Sequence, residues 1–477
     1  MKVNYTLLQS VKYQLLNEDQ CAEIAGAAYR ILARTGCIVQ NQKALALLKE
    51  AGCVVDGEHV WIPETLTRWA VETAPKSITL YDREGNFAFR LDPNSFHFGP
   101  VTSTCDILDL RTGERRSSTK KDLEECAILL DALDNIAWNS DICTLNDVDQ
   151  TYADVEEVCT LLQNTRKPFW YFASSMENLE AQYEMFKAVA GGADALRIRP
   201  FTVNLVCPLD ALRHSDHGVS QLIYCAERGL PVVYIPGTEF GLTSPATMAG
   251  TLAAGIADLL PAVVISQLVN KGAPIIAACF RNNVDFRTMK LNHSRPEMIT
   301  ANCATAEVWR YMGLPFCCNM ANTGNGDFGP LSAFEKAIQY YSVMLSGINM
   351  CYGLGCYEEG MLLRPSDLIF ANEVIGYLET LVKGFPVDQD TLAEDLIDEV
   401  GPGGTYLMEE HTMEHLYSFW TPDKLAPRKL GEGVSLEQDL AEAALAIIEK
   451  GPRHPLSPGK QQAIDALMDK VRARSKK

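Results

Sequence analysis

"RPFTVNLVCPLDALRHSDHGVSQLIYCAERGLPVVYIPG", residues 199 to 237, contains one full repeat of the pattern that decides the fold. Pro200 opens a short apolar run, a helical pattern follows over 213–228 and ends at Gly229, and Pro231 opens the next run. Apolar runs without polar alternation, separated by helices, predict parallel strands covered on both faces. The unit recurs along the chain as "FHFGPV" from 96, "IAWNSDIC" from 136, "FWYFAS" from 169, "IIAACF" from 275, "FCCNMAN" from 316 and "MCYGLGC" from 350. Pro168, Pro274 and Pro315 again stand at or just before strand starts, and helical patterns fill 151–164, 176–190, 245–270, 297–312, 332–346 and 367–383. Eight such units predict an α/β fold, a closed (β/α)8 TIM barrel over residues 96–387. No strand leads into GxGxxG or GxxxxGK[ST], so nucleotide-binding sheets are excluded and no nucleotide is expected.

Two flanking regions complete the expected organisation. Residues 1–95 read as an α+β extension, with helices over 18–52, a hairpin turning at Asp56-Gly57 and a short helix closed by Pro75. Residues 388–477 read as an acidic helical region whose last stretch, "DKVRARSKK", is expected to be solvated and frayed. The long apolar segment 247–269 contains Asp258 and Pro261, which predicts a buried helix and no membrane span.

The net charge is -19, which argues against nucleic-acid binding, because phosphate contacts need Lys and Arg. The 15 cysteines are irregularly spaced inside apolar runs, as free thiols in a reducing cytoplasm would be. The N-terminus shows no apolar signal core, so a cytoplasmic location is expected.

Chemistry in such a barrel belongs where strands end and βα loops begin. Those positions supply Phe172, Phe240, Phe280, Phe328, Tyr352 and Tyr357 beside Asp141, Glu239 and Asp327, with few histidines. Ring faces with one or two carboxylates suit a methylated ammonium ion. Any single one of these rings is better explained as a cap on the barrel core; the functional reading rests on the set. Arg281, following the sixth strand, would meet a carboxylate tail. Metal ligation is weak by spacing. His214 and His217 are expected to face water, and Cys317 and Cys318 to point to opposite faces of a strand. His411 and His415 are expected to pack, and Glu358-Glu359 to be solvated. No metal is therefore expected. The loop "ANTGNGDFG", 321–329, offers small donors and acceptors beside Asp327, but no His, no Lys and no obvious nucleophile.

Several stretches resemble the trimethylamine methyltransferase (MttB-like) family, over nearly the whole chain. They include "HFGPVTSTCDILDLRTGERRSSTKKDLEECAILLDALDNI" and "PVVYIPGTEFGLTSPATMAGTLAAGIADLLPAVVISQLVNKGAPI", with "GPGGTYLMEEHTMEHLYSFW" near the end. The resemblance implies transfer of a methyl group from a methylated amine to Co(I) of a cognate corrinoid-binding protein, which carries the cobamide. Trimethylamine enzymes place pyrrolysine near what are here Gly329 to Leu331, and this chain has none there. That resembles the relatives acting on quaternary amines: glycine betaine, proline betaine, carnitine or γ-butyrobetaine. Where many relatives have a His-Asp pair, Tyr352 and Gly353 stand. Expected substrate contacts are Phe172, Glu239, Phe240, Phe280, Arg281, Asp327, Phe328, Tyr352 and Tyr357, with Tyr352 and Asn322 as orienters and no acid or base. A homo-oligomer is expected. The alternatives are a zinc-dependent barrel methyltransferase and a non-catalytic quaternary-amine binding protein.

Overall fold

The computed structural model describes residues 13–93, 95–209, 211–282, 284, 285, 287, 289–426 and 433–475, and within it seven parallel strands form one curled sheet. Their order is His97–Pro100, Met350–Leu354, Phe316–Asn319, Ile275–Asn282, Val232–Tyr234, Thr202–Val206 and Phe169–Tyr171. The extended stretch 137–139 fills the remaining gap. Ala137 N–H donates to the Phe98 carbonyl (2.8 Å), Asn139 N–H to that of Pro168 (2.9 Å), and Trp170 N–H to that of Asn139 (3.0 Å). These bonds join the two edges of the sheet and close the (β/α)8 barrel. The second strand is thus present but much shorter than its apolar run predicts.

Period-two alternation sorts the strand side chains. Val203, Val233, Ile276, Cys317 and Met350 belong to the interior cluster, whereas Cys318 belongs to the outer core, as the pleat predicts. The hairpin Ile78–Tyr81 with Phe87–Leu91 contributes Ile78, Leu80, Phe89 and Leu91 to that same interior cluster. It enters at the strand starts, where Tyr81 N–H donates to the Pro200 carbonyl (2.9 Å), and it stoppers that end of the barrel. From there a column of rings climbs the interior: Phe89 to Trp138 at 6.1 Å, Trp138 to Trp170 at 5.5 Å and Trp170 to Tyr352 at 5.3 Å. Gly99 makes room for it, because a Cβ there would lie 1.9 Å from the Trp138 side chain.

The helix Met248–Val269 is apolar on every side because it is covered on every side. Helices Glu18–Arg34, Glu64–Thr73 and Asp216–Arg228 pack against it, and 83% of its most apolar window is buried. The N-terminal strand Cys37–Val39 pairs with Arg213–His214, which draws His214 into the interior. Its imidazole is fully buried against the Tyr234 hydroxyl (2.9 Å), and burial lowers its pKa to about 4. The expectation that His214 faces water is corrected: parallel pairing with the extension covers it.

The C-terminal tail is likewise not frayed over its described length. Helix Pro458–Ser475 lies on helices Ala153–Asn164 and Met176–Ala190, burying Ile464, Met468 and Val471. Arg472 pairs with the buried carboxylate of Glu156 at 2.8 Å. Strands from the excursion after the first barrel strand (Asp106–Leu108, Arg115–Ser117) form a four-stranded sheet with those after the last (Cys356–Tyr357, Leu362–Leu363).

Candidate active site

Tyr352 lies in the last barrel strand, 6% exposed, with its ring tilted 53° against Trp170. Burial raises its phenol pKa, so it stays neutral and offers a π face. The next residue must be small: Gly353 has φ +117, and a Cβ there would sit 2.8 Å from Asn319 Oδ1. Burial also raises the thiols of Cys317 and Cys318 well above their ordinary range, so neither is a ready nucleophile.

Other strand ends bring Phe172, Glu239, Phe240 and Asn322 to the same end of the barrel. Phe240 is buried, Phe172 is exposed, and the half-buried Glu239 carboxylate accepts from the Thr243 hydroxyl. Asn322 is fully buried; its Nδ2 donates to Asn319 Oδ1 at 2.6 Å while its own Oδ1 has no hydrogen-bond partner among the described residues. Phe280 and Arg281 are placed by backbone alone, paired with Gly237 and Thr238; their side chains lie outside what the structure describes.

Three further expected contacts have the following surroundings. Asp327 is exposed in its loop, and Phe328 packs edge-on against Phe370 at 5.2 Å, in the outer layer. Tyr357 donates its hydroxyl to Asp367 (2.9 Å), and the Lys336 ammonium lies 3.7 Å from its ring centre. That ring already holds a cation from its own chain. Glu358 and Glu359 are not a free solvated pair, since Glu358 meets Arg115 at 2.8 Å and Glu359 meets His293 at 2.7 Å.

The loop after the seventh strand is tied down. Thr323 and Asn325 donate to Glu335 at 2.5 Å and 2.8 Å, and Arg364 donates to the Gly326 carbonyl at 2.8 Å. Gly324 leaves space for the Glu359 carboxylate, 2.3 Å from where a Cβ would stand.

A carboxylate group beside the mouth was only partly foreseen. Asp141 follows the closing stretch of the barrel, nearly fully buried, with Oδ2 accepting from Ser103 (2.9 Å) and Oδ1 unpartnered among the described residues. Burial, with the nearby Asp154 charge, raises its pKa to about 7. Asp154 accepts from Ser174 N–H at 2.7 Å and from Asn178 at 2.7 Å, while burial raises Glu157 well above the carboxylate range. Asp154 and Glu157 are three apart on helix Ala153–Asn164, hence on one face, and that spacing was the overlooked signal. Trp170 was missed because its run reads simply as a buried strand.

Exposed apolar side chains ring this end: Phe172, Leu209, Leu242, Met289, Leu331 and Met361 each follow a different strand. Among the described residues no three His, Cys, Asp or Glu ligand atoms converge here. A cavity of about 500 Å³ lies at the opposite end, lined by Phe89, His97, Arg166 and Arg453. Its position at the strand starts separates it from the loops that carry chemistry in barrels of this type.

A family model described as trimethylamine methyltransferase (MTTB) matches residues 2–466. The chain belongs to the trimethylamine methyltransferase family. It is a methyltransferase of that family, and its sequence is 28% identical to the trimethylamine methyltransferase MttB of Desulfitobacterium hafniense, covering 92% of this chain and 90% of the relative. It is 27% identical to the glycine betaine methyltransferase of Desulfitobacterium hafniense strain Y51, covering 86% of each. Among solved structures, the Methanosarcina barkeri monomethylamine methyltransferase (MtmB) is similar with TM-score 0.50 at 12% identity, over 92% of this chain and 88% of that one. That likeness carries the barrel fold.

Proposed function

We propose that this family member demethylates a quaternary amine of the betaine type and delivers the methyl group to a cognate corrinoid protein. The observation that carries the reading is the ring of Tyr352, neutral and backed by Trp170, at the end of the barrel where the loops gather. A neutral aromatic face attracts an ammonium ion without forming a bond to it. The match to a glycine betaine methyltransferase over most of both chains supports the same substrate class.

A quaternary nitrogen already carries its positive charge, so it leaves as a neutral tertiary amine and needs no proton. A corrinoid held by the partner would supply the electron pair for the bond to the methyl carbon, while nitrogen would keep the pair of the broken N–CH3 bond. What remains for this chain is positioning and exclusion of water. Tyr352 and Phe240 would hold the cation, Glu239 would face it as an anionic wall, and Asn322 would orient it through its unpartnered buried oxygen. Phe172, at the outer edge, and Arg281 would complete the contacts, Arg281 by taking the substrate carboxylate. The exposed apolar ring from Phe172 to Met361 fits a partner that seats a flat macrocycle over the opening. We place the enzyme in the cytoplasm as a homo-oligomer, with no nucleic acid or membrane partner.

The test is a panel of betaines and methylamines incubated with the protein and cob(I)alamin, with methylcobalamin read by absorbance. Turnover of a betaine but not of trimethylamine supports the proposal. Binding without turnover, even with the cognate corrinoid protein, favours the non-catalytic binding protein.

A further inference from the structure

Beyond residue 382 the chain leaves the barrel and forms three short helices, Gln389–Leu392, Glu394–Val400 and Glu410–His415, none of which buries a single residue. Helices this short do not persist by their own hydrogen bonds. The segment also exposes Phe385, Leu407, Met408, Tyr417 and Phe419, so few large apolar groups hold it beyond Trp420, which packs edge-on against Tyr377 at 5.2 Å.

The first and third of these helices meet through three ligand-type side chains. His411 and His415 are one helical turn apart with ring centres 4.2 Å from each other. His411 Nε2 lies 3.2 Å from the Asp390 carbonyl oxygen, and His415 Nε2 lies 3.6 Å from Asp390 Oδ2. One ligand atom from each of the three residues falls within 4.8 Å of the others, and among the described residues no other set of His, Cys, Asp or Glu does this. In a tetrahedral zinc site, with bonds of about 2.0–2.2 Å, ligand atoms stand roughly 3.4 Å apart. Closing the difference needs only rotation of exposed or half-exposed side chains.

We propose that Asp390, His411 and His415 form a binding site for a divalent transition-metal ion of the zinc class, which clasps the two helices together. Two imidazoles with one carboxylate and no thiolate select zinc, cobalt or nickel over magnesium and calcium. Because the ligands come from separate short helices, binding energy becomes folding energy for the segment 388–420. A fourth position stays open to water. The proposal departs from the expectation that the chain itself carries no metal, and its residues lie beyond the barrel's last helix.

The experiment uses the full chain, stripped of metal, titrated with Zn2+ by calorimetry and with Co2+ by absorption spectroscopy. One Zn2+ per chain is expected, with Co2+ giving visible bands but no near-ultraviolet thiolate charge-transfer band. His411→Gln and His415→Gln should each abolish the calorimetric signal while leaving the barrel's circular dichroism unchanged. Zn2+ should also slow proteolytic cleavage between residues 385 and 420 in the parent chain and not in either variant. Undiminished Zn2+ binding in the double variant, a thiolate band with Co2+, or no binding by the parent chain overturns the proposal. None of these readouts measures methyl transfer, so failure of the substrate reading leaves the outcome interpretable.

Discussion

Tyr352 rests on Trp170 with ring centres 5.3 Å apart and planes at 53°, so the uppermost ring at the mouth is braced from below by the barrel's own core. A braced ring loses little further freedom when a ligand arrives, which favours tight binding by preorganisation.

Tyr352→Ala should weaken binding of the cognate betaine by about 30-fold, corresponding to a desolvated cation–π contact of about 2 kcal/mol. Tyr352→Phe should bind nearly as well as the parent, because the proposed contact uses the ring face and not the hydroxyl. Calorimetry with the best betaine from the panel decides, and an unchanged Kd for the alanine variant takes Tyr352 out of the site.

Gly99→Ala places a methyl group 1.9 Å from the Trp138 indole. Overpacking of this kind costs about 1–3 kcal/mol, so the urea midpoint should fall. Combining it with Trp138→Leu should restore part of the loss, since the obstructing ring is gone. A midpoint equal to the parent's would mean the ring column is looser than described.

Lys336 and Asp367 form a fully buried ion pair at 2.7 Å. Lys336→Met strands the carboxylate of Asp367 in the core, which should cost about 3–5 kcal/mol. The double variant Lys336→Met with Asp367→Leu should be more stable than the single one in denaturant titration, despite having lost more polar contacts.

Asp141 carries a pKa raised by burial to about 7, against an ordinary carboxylate value near about 4. Its folded form therefore holds a proton that the unfolded chain has released between those two pH values. Stability is greatest below the lower value and falls as pH rises toward 7, by up to about 1.4 kcal/mol per pH unit. Asp141→Asn should flatten that decline in urea titrations run from pH 4.5 to 7.5. An equally steep decline in the variant would assign the slope to Asp154 or Glu157 instead.

The barrel was legible because its signal is repeated and local: a proline, an apolar run, a helix, a glycine. The inward and outward placement of Cys317 and Cys318 follows from the pleat alone. What escaped was set by partners distant in sequence. Phe328 turns toward Phe370 and Tyr357 toward Asp367, and nothing within the 321–329 loop announces either choice. The pairing of Arg472 with Glu156 spans 316 positions, which is why a basic tail read as solvated. His214 was misjudged for the same reason, since the strand that covers it comes from the N-terminal extension. In the site, aromatic content at strand ends was readable, whereas the acidic face of Asp154 and Glu157 needed the helix to be docked beside Asp141.

The stopper made by Ile78, Leu80, Phe89 and Leu91 leaves the cylinder as a blind well. A blind well has one doorway, which the proposed substrate and its demethylated product would share. On the proposed methyl transfer, an acceptor protein seated across that doorway would hold the demethylated amine in place until it departs. Turnover should then follow a compulsory order, and excess acceptor should inhibit it.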